Sequence, residues 1–275
     1  YVEWVERQVW TNQASGEHFW GDLQFNWRTS FADSTRESPN NLDTQYEVYE
    51  DGTRYFGNRK DKFRLKFFDL QDSVIDIGAD IKYFIIAGDV SMDFKAGVSY
   101  YYKERDNQIS NFEFAPSPTA TTLFDDTFRT QPLTEIFAEQ NISPDTWEVN
   151  EISGAADYYD ADSEILAFYA GIDGQFTDSL RLSIGFRYED SDINVSNFNK
   201  YTKVENDRSD LALDKVLPAI TLTQTLDNNM QIRLGVSETV VRPNFRELAQ
   251  SVFFNPATNR SFVGNPDLKI TEITN

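Results

Sequence analysis

The side chains that could do chemistry are few in kind. His18 is the only histidine, and the chain has no cysteine. A catalytic triad, a thiolate nucleophile, a disulfide and a histidine- or cysteine-built metal centre therefore lack material. His18 itself reads as a solvated side chain on a polar strand face. Carboxylates are abundant instead. Asp157, Asp160, Asp162 and Glu164 fall close together, and spaced carboxylates can hold Ca²⁺ through oxygen ligands. Their spacing is not that of an EF-hand loop, and no glycine stands at its turning position. They read as a solvated stretch of an acidic chain, as does Asp125-Asp126. A glycosidase needs a carboxylate pair, and no pair here is singled out. Arg181, Arg187, Arg233 and Arg242 are the cations whose placement matters. A guanidinium grips carboxylate or phosphate in bidentate fashion. It can equally neutralise acids on its own face, Glu189 and Glu238 among them. No catalytic residue, metal or cofactor is expected.

The whole chain has 275 residues, 45 acidic against 25 basic, and a formal net charge of −20. Nucleic-acid binding needs clustered cations against phosphate, so that class is excluded. No apolar run approaches the roughly 18 residues of a transmembrane helix; the most apolar run, 83–88, is far too short. A membrane barrel is still open, because its strands cross with about ten alternating residues. Tyr1 begins inside a strand-like pattern with no leader, so the chain is expected to be cut at both ends. Aromatics make up 15%, with 22 Phe and 13 Tyr. That richness suits aromatic girdles at a bilayer interface and also a carbohydrate-binding sandwich.

The elements that must position these groups are strands. Residues 1–10 are β-prone, and the polar stretch 11–16 reads as a turn. Residues 17–29 alternate, with Phe19, Gly21, Leu23, Phe25 and Trp27 on one face and His18, Asp22, Gln24, Asn26 and Arg28 on the other; Trp20 is the exception. A short strand is expected at 63–69. Over 73–86, Ile75, Ile77, Ala79, Ile81, Tyr83 and Ile85 oppose Asp76, Gly78, Asp80 and Lys82. Over 90–102, Val90, Met92, Phe94, Ala96, Val98 and Tyr100 oppose Ser91, Asp93, Lys95, Gly97 and Ser99. The same pattern returns over 162–176 and 180–189, where Ile184 and Phe186 oppose Arg181, Arg187 and Glu189. A short helix is expected around 133–140.

The connections carry the inference. Tight turns at 87–89, 177–179 and 227–229 alternate with long polar excursions at 30–72, 104–161, 190–211 and 241–269. A compact soluble domain has no use for structureless loops of that length. A membrane barrel has short turns at one end and long loops at the other. Mid-strand charges need water or partners, which a wide lumen supplies, and an uncharged opposite face is what lipid requires. The loop aromatics (Tyr46, Tyr49, Tyr55, Phe56, Phe112, Phe114, Phe124, Phe128, Trp147, Tyr158, Tyr159, Phe253 and Phe254) could stack a ligand or pin the loops to each other.

One stretch is more specific. Leu217-Pro218-Ala219-Ile220-Thr221-Leu222 turns at Asp227-Asn228-Asn229 and returns as Met230-Gln231-Ile232-Arg233-Leu234-Gly235-Val236-Ser237. Val241-Arg242-Pro243-Asn244-Phe245-Arg246-Glu247-Leu248 follows, then Gly264-Asn265-Pro266-Asp267-Leu268-Lys269. This order resembles the middle-to-late barrel segment of TonB-dependent outer-membrane receptors. It covers about 216–275. Gln250 stands where the family usually has Pro, and Ile270 breaks its usual Lys-Pro-Thr or Lys-Arg-Thr.

The resemblance implies an all-β, antiparallel transmembrane β-barrel with long extracellular loops. The chain's eight or so strands would be part of a barrel of about 22. Residues 1–275 would then belong to one barrel domain, with the plug and remaining strands absent. The implied activity is TonB-energised import of a scarce ligand: a ferric siderophore, cobalamin or an oligosaccharide. The implied partners are outer-membrane lipid, the ligand, and TonB with its inner-membrane motor acting through the plug. Arg242, Pro243, Phe245, Arg246, Glu247, Leu248, Gly264, Asn265 and Pro266 are read as shaping a loop. Arg181, Arg187 and Arg233 are read as facing the lumen. A carbohydrate-binding sandwich and a passive porin remain the alternatives, and none of the three is an enzyme.

Overall fold

The computed structural model describes residues 2–57, 62–117, 126–143, 145–154, 157–202, 204–226, 230–255 and 260–275, with the backbone alone at 206 and 253–255. The expected turn at 227–229, Phe124, Asp125, Pro118 and Pro144 lie outside the described residues. So do the side chains of Phe253 and Phe254.

In chain order the elements are β1 (Glu6–Trp20), β2 (Leu23–Thr44), β3 (Tyr46–Val48), β4 (Arg54–Phe56), β5 (Phe63–Ala87) and β6 (Val90–Pro116). Then come helices α1 (Asp126–Arg129) and α2 (Leu133–Ile136), β7 (Trp147–Glu151), β8 (Tyr158–Gln175), β9 (Leu180–Phe198), β10 (Glu205–Thr225) and β11 (Gln231–Val241). Helix α3 (Phe245–Leu248), β12 (Val252–Asn255), β13 (Arg260–Val263) and β14 (Thr271–Thr274) complete the chain. One antiparallel sheet runs β1-β2-β5-β6-β8-β9-β10-β11-β14, with β7 added to β6. Two small hairpins, β3–β4 and β12–β13, stand apart from it. Among the described residues no helix is long and apolar enough to cross a membrane.

The long strands obey the expected alternation. One row across the sheet reads Tyr83, Phe94, Ile172, Ile184, Ile220 and Val236, each paired with the next. Ile184, Ile220 and Val236 are exposed, so among the described residues no second sheet covers this apolar face, as a sandwich would require. Pro218 lacks an N–H, and the β10–β11 ladder begins just beyond it, at Ala219 and Ser237.

Several expectations are corrected. Residues 11–16 are not a turn but the middle of β1, paired residue for residue with β2. The real turn is Gly21-Asp22, closed by the pair Trp20–Leu23, with Gly21 at a φ of 64°. Such two-residue hairpin turns need a positive φ, which glycine adopts without strain. A hairpin reverses the parity of the face, so 17–29 is not one alternating strand. Trp20 and His18 share the apolar face with Phe25, and the His18 ring stacks 6.0 Å from that of Phe25. The Trp27 indole N–H donates to His18 Nε2 at 3.2 Å. His18 is therefore not on the polar face.

The long excursions are also shorter than read. β5 has 25 residues and β6 has 27, whereas about 9–11 suffice to cross a bilayer. Strand 63–69 is only the start of β5, and in the expected loop 190–211 β9 runs on to Phe198 and β10 begins at Glu205. Beyond the apolar band polar groups occur on both strand faces, so the period weakens in the sequence while the backbone ladder continues. The expected helix near 133–140 is α2 and a 3₁₀ turn at Glu139–Asn141.

Candidate functional site

Opposite the apolar face lies a face of paired charges. Asp173 receives Arg181 Nε and Nη2 at 2.8 and 2.5 Å and the Ser183 hydroxyl at 2.9 Å, with Lys95 at 3.7 Å. Lys82 meets Asp93 at 3.1 Å, and Arg28 lies 3.5 Å from Asp76. Arg105 forks onto Asp72 at 2.5 and 2.6 Å. Glu189 is buried and accepts from Arg187 Nε at 2.5 Å and Arg242 Nη2 at 2.6 Å. For Arg181, Arg187 and Arg242, neutralisation of acids on the same face is what the geometry holds. Glu238 pairs with Lys215 at 3.4 Å, not with an arginine. Arg233 has no hydrogen-bond or ion-pair partner among the described residues.

The segment after β11 folds back onto this charged face. Pro243 leaves the strand and Asn244 caps α3. The Asn244 side chain accepts from the Arg246 N–H at 3.4 Å, and Glu247 accepts from the Asn244 N–H at 2.8 Å. This capping box satisfies donors that a four-residue helix cannot satisfy itself. Phe245, Leu248 and Ala249 are then buried against Tyr159, Ala161, Ile193 and Val195 of β8 and β9, with Leu211 and Leu268 beside them. Lys103 and Arg105 stand 5.6 and 5.7 Å from the Phe245 ring centre, within cation–π range.

Gly264 closes the unit from the other side. A Cβ there would lie 2.0 Å from the Ala249 carbonyl oxygen, so only glycine fits. The Asn265 N–H donates to the Glu247 carbonyl at 2.6 Å, and the Pro266 carbonyl accepts from the Ser209 hydroxyl at 2.9 Å. Gln250, at the position where the resemblance has Pro, uses its N–H on Asn197 Oδ1 at 3.1 Å.

The distal loops carry a second core. Phe56, Phe63, Ile136 and Trp147 are buried, with Phe114, Phe128 and Phe137 packed around them. Arg129 is buried beneath it, donating Nε to the Phe56 carbonyl at 2.8 Å and Nη2 to Glu47 at 2.9 Å. Phe56, Phe114, Phe128 and Trp147 thus pin the loops together. Tyr46 and Tyr49 stay exposed, and the Tyr49 ring meets Tyr55 edge-on at 4.8 Å. Lys200 reaches Ser110 at 3.1 Å, and the Tyr201 hydroxyl donates to Glu151, so the β9–β10 connection is tied to β7.

Sequence reasoning missed two pairings, Asp72 with Arg105 and Asp157 with Lys66, and Asp157, read as solvated, is buried. Burial pushes the Asp157 carboxyl up from its ordinary range, against the Gly154 N–H at 2.7 Å and Asn111 Nδ2 at 3.0 Å. Burial likewise pushes the Lys66 ammonium down. Charged residues far apart in sequence meet here only through strand register, which no local motif signals. Among the described residues no His, Cys, Asp and Glu group could hold a metal.

Residues 127–275, more than half of the chain, match the family model described as the outer membrane protein beta-barrel family. No curated protein matches. Among solved structures, the chain is similar to the siderophore receptor PiuA from Acinetobacter baumannii. Identity is 11%, the TM-score is 0.55, and the match covers 98% of this chain and 37% of that one. It is similar to the ferric-catecholate import receptor Fiu from K12 E. coli in its closed form, with 10% identity, a TM-score of 0.53, and 86% and 33% covered. It is also similar to the unliganded ferric citrate transporter FecA, with 12% identity, a TM-score of 0.52, and 86% and 28% covered. The chain spans about a third of the length of these structures, and the likeness is one of fold.

Proposed function

Because this chain belongs to the outer membrane protein β-barrel family, we propose that its sheet forms part of the wall of a receptor that imports a scarce small ligand with energy delivered by TonB. The location is the outer membrane of a Gram-negative bacterium, with the apolar face on lipid. The observation that carries the proposal is the pairing of an uncharged, exposed row on one face with a charge-paired opposite face onto which α3 folds. A lipid-facing wall has that uncharged face, and a wet or filled lumen has the other.

In this reading Arg181, Arg187 and Arg233 face the lumen, and the tight turns face the periplasm. The segment holding Arg242, Pro243, Phe245, Arg246, Glu247, Leu248, Gly264, Asn265 and Pro266 fixes the shape of the wall beneath the outer loops and makes no ligand contact. Residues 1–275 form one part of a single barrel domain, with the plug and the remaining strands supplied elsewhere in the protein. The protein is a transporter without catalytic residues. The ligand class favoured is a ferric siderophore, supported by the likeness to the siderophore receptor PiuA and the ferric-catecholate import receptor Fiu; cobalamin and oligosaccharides are the other candidates.

The test is uptake of radiolabelled ferric siderophores by iron-starved cells, with the gene present or deleted and with TonB present or absent. Uptake lost in both deletions supports the proposal. Uptake that needs the gene but not TonB points to a passive barrel.

A further inference from the structure

The apolar face is not an even wall. Across its middle one row reads Ile81, Ala96, Ala170 and Phe186, each paired with the next. Two small side chains thus stand side by side between two large ones. Phe94 and Ile172 pair in the next row towards the tight turns, and they raise that end. The result is a trough of about 590 Å³, with the backbone of Gly171 and Gly185 in its lining. Lys95 borders it, but its ammonium sits 3.7 Å from Asp173 on the opposite face, so the trough itself is hydrocarbon and aromatic ring. Its strands, β5, β6, β8 and β9, each have a described ladder partner on both sides.

Place and size point to the occupant. The trough is continuous with the face that lipid covers. Met92, at one end, is two residues beyond the start of β6, and Phe186, at the other, is six beyond the start of β9. At about 3.4 Å per residue and a tilt near 45°, it spans heights of roughly 5 to 14 Å in a band about 25 Å tall. That depth is among acyl chains rather than headgroups, in the leaflet nearest the tight turns. Inside a bilayer apolar groups gain little from leaving water, so attachment there must come from packing. A chain crossing a flat wall touches it on one side. A chain lying in the trough touches floor and both walls, and dispersion sums over those contacts.

We propose that this trough is a seat for one acyl chain of a phospholipid in the leaflet nearest the tight turns, held more persistently than the lipid around it. The proposal rests on the reading that this face meets lipid, and it is independent of TonB and of import.

The experiment uses the whole protein in vesicles of a phospholipid that carries a mid-chain diazirine. One portion is photolysed in the vesicles. Another is photolysed after extraction and washing in detergent, and labelled residues are located by peptide mass spectrometry. In vesicles Ile220, exposed in the same row as Ile184 and outside the trough, should be labelled along with Phe94 and Phe186. No label at any of the three would refute the lipid-facing reading itself. After washing, native mass spectrometry should show at least one retained phospholipid, and its label should stay on Phe94 and Phe186 and leave Ile220. Ala170→Leu fills the trough and should cut the retained lipid about threefold or more, since the side contacts are lost. Ala79→Leu, the same change on the same face outside the trough, should leave retention unchanged. Labelling in vesicles with no lipid retained after washing overturns the proposal while leaving the lipid face intact. Retained lipid that labels Ile220 as strongly as Phe94 and Phe186 also overturns it, as does retention that Ala170→Leu does not lower.

Discussion

Replacing Ile184 by Arg is the sharpest test of which face meets lipid. Ile184 is four residues into β9, counted from Leu180 at the tight turn. At about 3.4 Å per residue that is ~14 Å along the strand. A tilt near 45° leaves about 10 Å of height within an apolar band about 25 Å tall. Ile184 thus sits close to the midplane, 48% exposed, in the uncharged row that runs from Tyr83 to Val236. An arginine at such a lipid-facing position costs about 2–4 kcal/mol.

Its neighbour Ser183 points to the opposite face and donates to Asp173. An arginine there meets a carboxylate and water, so Ser183→Arg should cost less than about 1 kcal/mol. The expected gap between adjacent substitutions is then about 1 kcal/mol or more, at least roughly a fivefold change in folding equilibrium. The assay is urea titration of the whole protein inserted in vesicles, alongside its yield in outer membranes. Equal losses for the two variants would mean that the two faces meet the same solvent, and the barrel orientation would be wrong.

Other consequences follow from the charged face and the segments packed on it. Gly264→Ala would push a methyl into the Ala249 and Arg246 backbone carbonyls, which cannot swing aside; a loss of about 1–3 kcal/mol is expected, seen as faster tryptic cleavage at Arg246. Asn107 is fully buried with both amide atoms unpartnered among the described residues, so Asn107→Leu should be neutral or stabilising by about 1 kcal/mol. Destabilisation beyond that in a denaturant titration would refute it. Asp157 has a raised folded-state pKa, so the folded form keeps a proton that the unfolded chain releases. Its contribution is therefore most favourable at acid pH and declines as pH rises from about 4 through the raised value. Amide exchange at Gly154 and Asn111 should report this slope, and Asp157→Asn should flatten it.

The strands that cross the membrane were legible because lipid enforces one uncharged face. Ile75 to Ile85 and Met92 to Tyr100 show this directly. Outside the bilayer that constraint ends. Residues 104–116 and 190–198 have polar groups on both sides and looked like loop, yet they hold their ladders. Residues 11–16 looked like a turn because Asn, Ser and Gly are turn residues, but β2 pairs with them throughout. Trp20 was an exception only because the turn at Gly21-Asp22 was unseen. The segment from Arg242 to Pro266 stood out as a motif, since Asn244, Glu247 and Gly264 each meet a local geometric demand. Its partners did not stand out. Tyr159, Ile193 and Ser209 reach it through register alone.

Where the buried apolar side chains lie gives the sheet a direction. Nearly all of them, from Phe56 and Ile109 to Tyr159, Val195 and Leu248, belong to the strand halves and loops far from the tight turns. Near the turns the large apolar residues, such as Ile86, Ile184 and Leu234, are exposed. A water-soluble sheet would show no such division, because its apolar face must be covered by protein along its whole length. Lipid covers the turn-proximal half here, so that half needs no core. The distal half stands in water and must bury its own apolar groups. It does so twice, by folding α3 onto β8 and β9 and by packing the Phe56–Trp147 cluster between the loops. Cutting out 244–269 should therefore leave the lipid-facing half folded and loosen the distal ends of β8 and β9. Exchange rising at Ala161 and Val195 but not at Ile172 would show this, while a uniform rise would mean that the two halves do not stand independently.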